Sequence, residues 1–96
     1  MKVVWAAEAL EWLAEIEAFI ARDSLQRAKQ FVARLIQRGK SLAHSPMRGR
    51  IVPEVREIFL KSYRIVYRLH QSRIEIVTLF EGHRLLRRSE IFSAQK

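Results

Sequence analysis

The stretch SYRIVYRLHQSRIEIVTLF, residues 62–80, contains two runs of β-prone residues on either side of the turn-forming segment HQS. In the first run, every second residue is apolar: Tyr63, Ile65, Tyr67 and Leu69. The residues between them are Arg64, Val66 and Arg68. Because successive side chains of a β-strand point to opposite faces, this run predicts a strand with one buried face and one face that carries arginine.

The second run, residues 74–80, has apolar residues at both alternating sets of positions. Strict alternation places Ile74, Ile76, Thr78 and Phe80 on one face and Glu75, Val77 and Leu79 on the other. A strand that is apolar on both faces is typical of the middle of a sheet. The two runs therefore predict a β-hairpin whose second strand is central.

Two amphipathic helices are predicted before these strands, because apolar residues recur at spacings of three and four. The first helix covers about residues 6–22, and its apolar face is formed by Leu10, Leu13, Ile16, Phe19 and Ile20. The apolar face of the second is formed by Leu25, Ala28, Phe31, Val32, Leu35, Ile36 and Leu42. Asp23 and Ser24 separate the helices and are favoured N-cap residues. The segment HSPMRG, residues 44–49, ends the second helix.

Short β-prone segments complete the pattern: Lys2–Trp5, Arg50–Val52 and Arg56–Leu60. Pro53 cannot donate to a β-ladder, so Arg50–Val52 is expected to lie at an edge of the sheet or to end at this proline. The predicted fold is α+β with the order β-α-α-β-β-β, in which a helical hairpin covers one face of a small, twisted, mainly antiparallel sheet. Eight aromatic residues are expected to pack in its core: Trp5, Trp12, Phe19, Phe31, Phe59, Tyr63, Tyr67 and Phe80.

The composition limits the classes of function. The chain has 96 residues, which predicts a single domain over residues 1–96. It has no cysteine, so disulfides and thiolate zinc sites are excluded. No apolar run approaches the roughly 20 residues that cross a bilayer, and glutamates begin at Glu8, so we expect a cytoplasmic protein without a membrane partner. Residues 48–96 hold 11 basic and 5 acidic residues and carry most of the net charge of +8.

The concentration of arginine in the second half is the main candidate for a functional site. If the strands pair as predicted, six arginines can converge: Arg56, Arg64, Arg68, Arg84, Arg87 and Arg88. Residues 84–96 then form a basic C-terminal tail. Such a cluster can bind a polyanion or an acidic protein, and the adjacent His83 can transfer protons near neutral pH. The three histidines have no ligand spacing, so we expect no metal and no cofactor.

Four segments resemble the RelE/ParE toxins of bacterial type II toxin–antitoxin systems. They are GRIVPE (49–54), REIFLKSYRIVYRL (56–69), EIVTLFEGHRLL (75–86) and RRSEIF (87–92). The helical half, ALEWLAEIEAFIARDSLQRA, is similar to the first two helices of that family. The resemblance covers nearly the whole chain and implies the same order of strands and helices. It also implies a partner, a cognate antitoxin whose acidic or amphipathic C-terminal segment folds on the toxin.

The family divides by target, and the resemblance indicates which residues distinguish the branches. RelE-like members cleave messenger RNA in the ribosome, and Arg64 and Arg84 match two of their arginine positions. Phe92 stands where those nucleases have a tyrosine, and phenylalanine cannot transfer a proton. His83 or Glu54 would then have to supply that chemistry. ParE-like members poison DNA gyrase and need no catalytic residues of their own.

The first hypothesis is therefore a ParE-like toxin that binds DNA gyrase and traps it on cleaved DNA, without catalytic activity of its own. Its target-binding residues are expected to be Arg56, Arg64, Arg68, His83, Arg84, Arg87 and Arg88. The second is a ribosome-dependent endoribonuclease of RelE type that acts on messenger RNA through Arg64, Arg84, His83 and Glu54. The third is a basic module that binds nucleic acid or another protein and is not toxic.

Overall fold

A computed structural model of the chain describes residues 1–52 and 54–82. Its elements, in chain order, are β1 (Lys2–Trp5), α1 (Ala7–Ala21), α2 (Leu25–Lys40), β2 (Arg50–Val52), β3 (Val55–Leu60), β4 (Tyr63–Leu69) and β5 (Arg73–Glu81). A single 3₁₀ turn, Ser41–Ala43, extends α2. The Ser24 hydroxyl accepts a hydrogen bond from the backbone N–H of Arg27 at 3.2 Å, so the predicted N-cap between the helices is confirmed.

The five strands form one sheet in the order β1-β5-β4-β3-β2. β1 is parallel to β5, and the other neighbours are antiparallel. The predicted α+β class and the edge position of Arg50–Val52 are confirmed. Each of the four segments predicted as strands after the helices forms a strand, one more than the order β-α-α-β-β-β counts. Val52 pairs with Val55, and Glu54 has a φ of 73°, a conformation typical of tight turns. This turn separates β2 from β3. As predicted, β5 is an interior strand, which lies between β1 and β4.

A β-bulge in β5 changes which of its residues face the helices. Val66 pairs with Thr78, whereas the next residue, Tyr67, pairs with Ile76, so Val77 is an extra residue in β5. An extra residue reverses the alternation of side chains beyond it. The strict alternation predicted for residues 74–80 is therefore wrong, and the helix-covered core takes Ile74, Ile76 and Leu79 from this strand.

The main core lies between the two helices and one face of the sheet. The helices contribute Ala9, Leu13, Ile16 and Leu35, and Leu42 comes from the 3₁₀ turn. The strands contribute Ile58, Leu60, Ile65, Tyr67, Ile74, Ile76 and Leu79. On the opposite face of the sheet, Val55, Val66 and Phe80 form a second, smaller buried cluster.

Several apolar residues that were expected in the core are exposed: Leu10 (52%), Trp12 (37%), Phe19 (62%), Leu25 (59%) and Phe59 (41%). Ala9, Leu13 and Ile16 form a narrow buried stripe along α1, and the three exposed residues of that helix lie beside this stripe. A helix that packs on a small sheet buries only the stripe that faces it. The periodicity of apolar residues predicted the helix correctly, but it assigned more residues to the buried face than the structure buries.

The loop between the 3₁₀ turn and β2 is attached to the sheet by two side chains. The hydroxyl of the fully buried Tyr67 donates to the carbonyl of Pro46 at 2.8 Å and accepts from the N–H of Gly49 at 2.9 Å. The Arg56 guanidinium donates to the carbonyls of Met47 and Gly49, both at 3.1 Å. Because these four bonds join residues distant in sequence, they hold the loop against β3 and β4.

Candidate functional site

The structure brings two of the predicted arginines together at the β2–β3 end of the sheet. Arg56 of β3 and Arg68 of β4 line one open cleft of about 230 Å³. Glu54 lies in the same cleft, at the turn between β2 and β3. In the strand register Arg68 is opposite Glu75, and Arg56 is opposite Tyr67. This cleft combines two cations with a carboxylate, so it is a candidate surface for a partner of mixed charge.

Arg64 lies apart from this cleft, at the other end of β4. Its partner in the register is Phe59, and its guanidinium carbon is 5.4 Å from the centroid of that ring. Its Nη1 donates to Oε2 of Glu57 at 3.4 Å, and its side chain is only 12% exposed. Four residues of a strand span about 13 Å, which separates Arg64 from Arg68. The guanidinium of Arg64 is therefore held by the protein itself, with little surface left for a target.

The carboxylate of Glu57 organises this end of the sheet, although the sequence pattern did not mark it as functional. Glu57 is 1% exposed, and its Oε1 lies 2.7 Å from Nη2 of Arg50. That contact is an ion pair without hydrogen-bond geometry, and Nε of Arg64 has no acceptor among the described residues. A buried carboxylate requires a cation beside it. The sequence offered one indication of this buried carboxylate, a single glutamate within the otherwise mainly apolar segment VREIFL.

Four of the predicted residues, His83, Arg84, Arg87 and Arg88, lie outside the residues that the structure describes. Of the residues proposed for a ribonuclease, the structure therefore describes Arg64 and Glu54. These two lie at different ends of the sheet: Arg64 pairs with Phe59 near the β3–β4 turn, and Glu54 precedes β3. Across residues 1–52 and 54–82, no group of three or more histidine, aspartate or glutamate side chains is arranged to hold a metal.

An apolar cleft of about 250 Å³ lies between α1 and the ends of β4 and β5. Its walls are formed by Trp12, Glu15, Ile16, Phe19, Tyr63, Phe80 and Glu81. Trp12 and Phe19 are two helical turns apart, so both project from the same side of α1. Amphipathic helices bind in grooves of this kind through apolar residues spaced along one face. The exposed aromatic residues of α1 thus belong to a candidate protein-binding surface.

Tyr63 lines this cleft and provides a test of its environment. Burial, and next the charge of Glu81, raise the pKa of its hydroxyl above the usual value of 10.0. The raised pKa stabilises the fold fully below about pH 10, and this contribution is lost as the pH rises through the folded-state pKa. We expect the free energy of unfolding to fall above about pH 10, and to fall less in Tyr63→Phe. Urea unfolding from pH 8 to 11 measures this difference. If the free energy of unfolding fell equally with pH in both proteins, the prediction would be contradicted.

Comparisons with known proteins agree with this arrangement of helices and strands. The family described as "ParE toxin of type II toxin-antitoxin system, parDE" matches residues 3–86. Y4kP of Sinorhizobium fredii (strain NBRC 101917 / NGR234), a protein whose name describes it as a toxin, is 34% identical over 86 residues. That match covers 85% of this chain and 88% of Y4kP. The described part of the chain has no helix long and apolar enough to span a membrane.

A solved structure of a chromosomal ParDE TA system from P. aeruginosa has the same fold. Its matching chain superposes with a TM-score of 0.76 at 20% identity, and the match covers 86% of this chain and 97% of that one. The sheet with its helical hairpin thus has the fold of that ParDE chain. Because the family match extends over most of the sequence, the chain belongs to the ParE toxin family of type II toxin–antitoxin systems.

Proposed function

We propose that this protein arrests growth in the cytoplasm by binding DNA gyrase and trapping it on cleaved DNA, and that a cognate antitoxin neutralises it. The observation that carries this proposal is the ParE match over residues 3–86. Members of that branch act on gyrase without catalytic residues of their own, as the sequence resemblance implied. Target contacts are assigned to Arg56 and Arg68 in the described structure, and to His83, Arg84, Arg87 and Arg88 beyond it.

The ion pair of Arg64 supports the gyrase proposal over a ribonuclease. An arginine that stabilises a developing phosphate charge must have its donors available to the substrate. In this protein, Glu57 lies 3.4 Å from Nη1 of Arg64 and neutralises it, and the side chain is 12% exposed. Phe92, in place of the nuclease tyrosine, removes a proton donor. Arg64 is therefore assigned to the fold, although the sequence pattern placed it at the target surface.

The antitoxin is proposed to occupy the apolar cleft beside α1. Trp12 and Phe19 are exposed there, and Ile16 and Tyr63 also line the cleft. A short amphipathic segment that folds on binding buries such residues and removes them from water. The P. aeruginosa match is to a ParDE system, so the antitoxin of a ParDE-type pair is the expected occupant. Its acidic residues would pair with the basic surface elsewhere on the toxin.

Induced expression in a bacterium without the antitoxin tests the proposal. We expect growth arrest with filamentation, a DNA-damage response and intact messages. In a purified reaction, the full chain and gyrase are expected to accumulate linear DNA after the proteins are removed by denaturant. Rapid, codon-positioned cleavage of messages on intact DNA would instead establish a ribonuclease. Normal growth with a folded, expressed protein would favour the third hypothesis, a module that is not toxic.

Arg84→Ala is expected to relieve the growth arrest while leaving folding and antitoxin binding intact. The reason is that Arg84 belongs to the basic segment after Gly82, to which target contacts are assigned. The matched control is Arg27→Ala, which removes one positive charge at the start of α2. Colony counts after induction, with co-purification of the antitoxin, measure both properties. Equal toxicity of Arg84→Ala and the unmodified protein would overturn the assignment of Arg84.

A further inference from the structure

The outer edge of the sheet beside α2 carries a set of arginines that the proposed function does not use. β2 pairs only with Val55–Glu57, so the last three residues of β3, Ile58–Leu60, have no strand beside them on that side of the described sheet. Two clefts, of about 330 and 420 Å³, lie along this open edge. Arg38 and Arg48 line both of them, so the two clefts form one continuous groove.

The walls of this groove are dominated by arginine. Arg34 and Arg38 come from α2, Arg48 from the following loop, and Arg50 from β2. Arg34 and Arg38 are separated by four positions in α2, which places their Cβ atoms about 6 Å from each other. The one acidic residue that lines either cleft is Glu57, and Arg50 lies 2.7 Å from its carboxylate. The groove therefore carries a surplus of positive charge.

Arg48 is held in place for binding. Its Nη2 donates to the Ser41 hydroxyl at 2.8 Å, and that hydroxyl donates to the Arg38 carbonyl at 2.6 Å. The adjacent Gly49 is bonded to the buried Tyr67. An arginine whose backbone and one donor are fixed loses less freedom when its remaining donors bind an anion. Phosphate and carboxylate both match a guanidinium fork, so the neighbouring residues must distinguish between these two ligands.

The aromatic residue at the rim favours nucleic acid. Phe59 lines the larger cleft beside Arg38, Arg48 and Arg50, and 41% of its surface is exposed. A basic groove that follows the backbone, with an aromatic ring on which a base can stack, is the usual combination for binding single strands. Grooves for amphipathic peptides are predominantly apolar, as the cleft beside α1 is. The open edge of β3 is three residues long, which is short for adding a peptide strand.

We propose that this groove, formed by Arg34, Arg38, Arg48, Arg50 and Phe59, binds the phosphodiester backbone of single-stranded nucleic acid. The proposal goes beyond the action on gyrase and does not depend on it. Failure to bind gyrase leaves the expected oligonucleotide binding unchanged, and loss of oligonucleotide binding leaves the gyrase assay interpretable. In a toxin that acts on DNA, such a groove would place the protein against an unpaired or cleaved strand.

Fluorescence anisotropy of the full chain with a labelled oligothymidylate of about 12 nucleotides tests the groove, because single-strand sites span about 4–16 nucleotides. The groove variant is the double substitution Arg38→Ala with Arg48→Ala. Its matched control is Arg27→Ala with Arg73→Ala, which removes the same charge from two exposed positions that do not line the groove. Thermal unfolding of each variant verifies that it is folded.

We expect the groove variant to bind at least about tenfold more weakly, and the control less than about threefold. The slope of log affinity against log salt falls by about 0.7 for each phosphate of a single strand that the protein no longer neutralises. The groove variant, which lacks two arginines, should therefore have a slope smaller by about 1.4. Phe59→Ala should weaken binding about fivefold or more without changing that slope, because stacking releases no counterions.

Two results would overturn the proposal. If the groove variant and the control lost oligonucleotide affinity equally, only the net charge of the protein would attract the oligonucleotide. Unchanged oligonucleotide affinity in the groove variant, together with weaker binding of the antitoxin or an acidic peptide, would assign the groove to a protein partner.

Discussion

Replacing Glu57 by glutamine is expected to destabilise the protein by about 3–5 kcal/mol, because the substitution leaves a buried cation without its counter-charge. Glu57 is 1% exposed, and the side chain of its partner Arg64 is 12% exposed. Glutamine has nearly the same volume, so the loss of stability reports charge and not packing. For a domain of this size, the change corresponds to a fall of more than about 12 °C in Tm.

Three further variants separate the ion pair from other effects. Arg50→Ala should cost less than about 1 kcal/mol, because the side chain of Arg50 is 65% exposed and solvent screens its charge. Arg64→Met should cost less than Glu57→Gln, since Arg50 still lies 2.7 Å from the carboxylate. The double variant Glu57→Leu with Arg64→Met should recover most of the stability, because both charges are removed together.

Urea unfolding of the four variants measures these differences in one series. A loss below about 1 kcal/mol in Glu57→Gln would show that water screens the pair despite its burial. If the double variant is as unstable as Glu57→Gln, the Glu57 side chain has a role in packing that its charge does not explain.

Most of the fold could be predicted from the sequence, because local periodicity reports how side chains alternate or recur. The two helices, the Ser24 N-cap, the edge strand and the central β5 all depend on such local patterns. Two features do not. The bulge at Val77 arises from the pairing of β4 with β5, and the residues of β5 alone do not indicate it. The exposure of Trp12 and Phe19 depends on how little surface a small sheet offers to α1.

The arginines were harder to interpret, because charge alone does not show which partner neutralises it. Arg64 and Arg68 have the same parity in β4, so the sequence predicted one basic face. The structure pairs Arg64 with a glutamate from the neighbouring strand, and Arg68 lies about 13 Å away along the strand. Conversely, Arg38 and Arg48 are ten positions apart in sequence and meet only because the loop folds back on α2. Contacts between elements are what the sequence pattern does not contain.

Replacing Gly49 by alanine is expected to cost about 3 kcal/mol or more, from overpacking and broken hydrogen bonds together. A Cβ at this position would lie 2.7 Å from Cε1 of the Tyr67 ring and still closer to its hydroxyl. Tyr67 is fully buried, so the ring has no space to move. Gly49 has no positive φ, so close approach and not backbone conformation requires glycine here. Thermal or urea unfolding measures the loss of stability.

Gly39→Ala is the matched control. Its Cβ would meet two carbon atoms, Cζ2 of Trp5 at 2.7 Å and Cδ1 of Ile76 at 2.8 Å, and not a hydroxyl that is held by two hydrogen bonds as in Tyr67. Alanine also favours the helix by about 1 kcal/mol over glycine. We therefore expect a net cost below about 1.5 kcal/mol for this variant. A similar cost for both glycine variants would contradict the special role of the Tyr67 contact.

A double-mutant cycle with Tyr67→Phe tests the cause directly. Tyr67→Phe alone should cost about 1–3 kcal/mol, because the Gly49 N–H and the Pro46 carbonyl lose their buried partner. In that background, Gly49→Ala should cost less than in the unmodified protein, since the hydroxyl that a Cβ would meet first is already gone. If the costs of Gly49→Ala and Tyr67→Phe were additive, the methyl group of the alanine would not be in conflict with the Tyr67 hydroxyl. Coupling would show that one tyrosine hydroxyl fixes the loop that carries Arg48 and thereby holds this arginine beside α2.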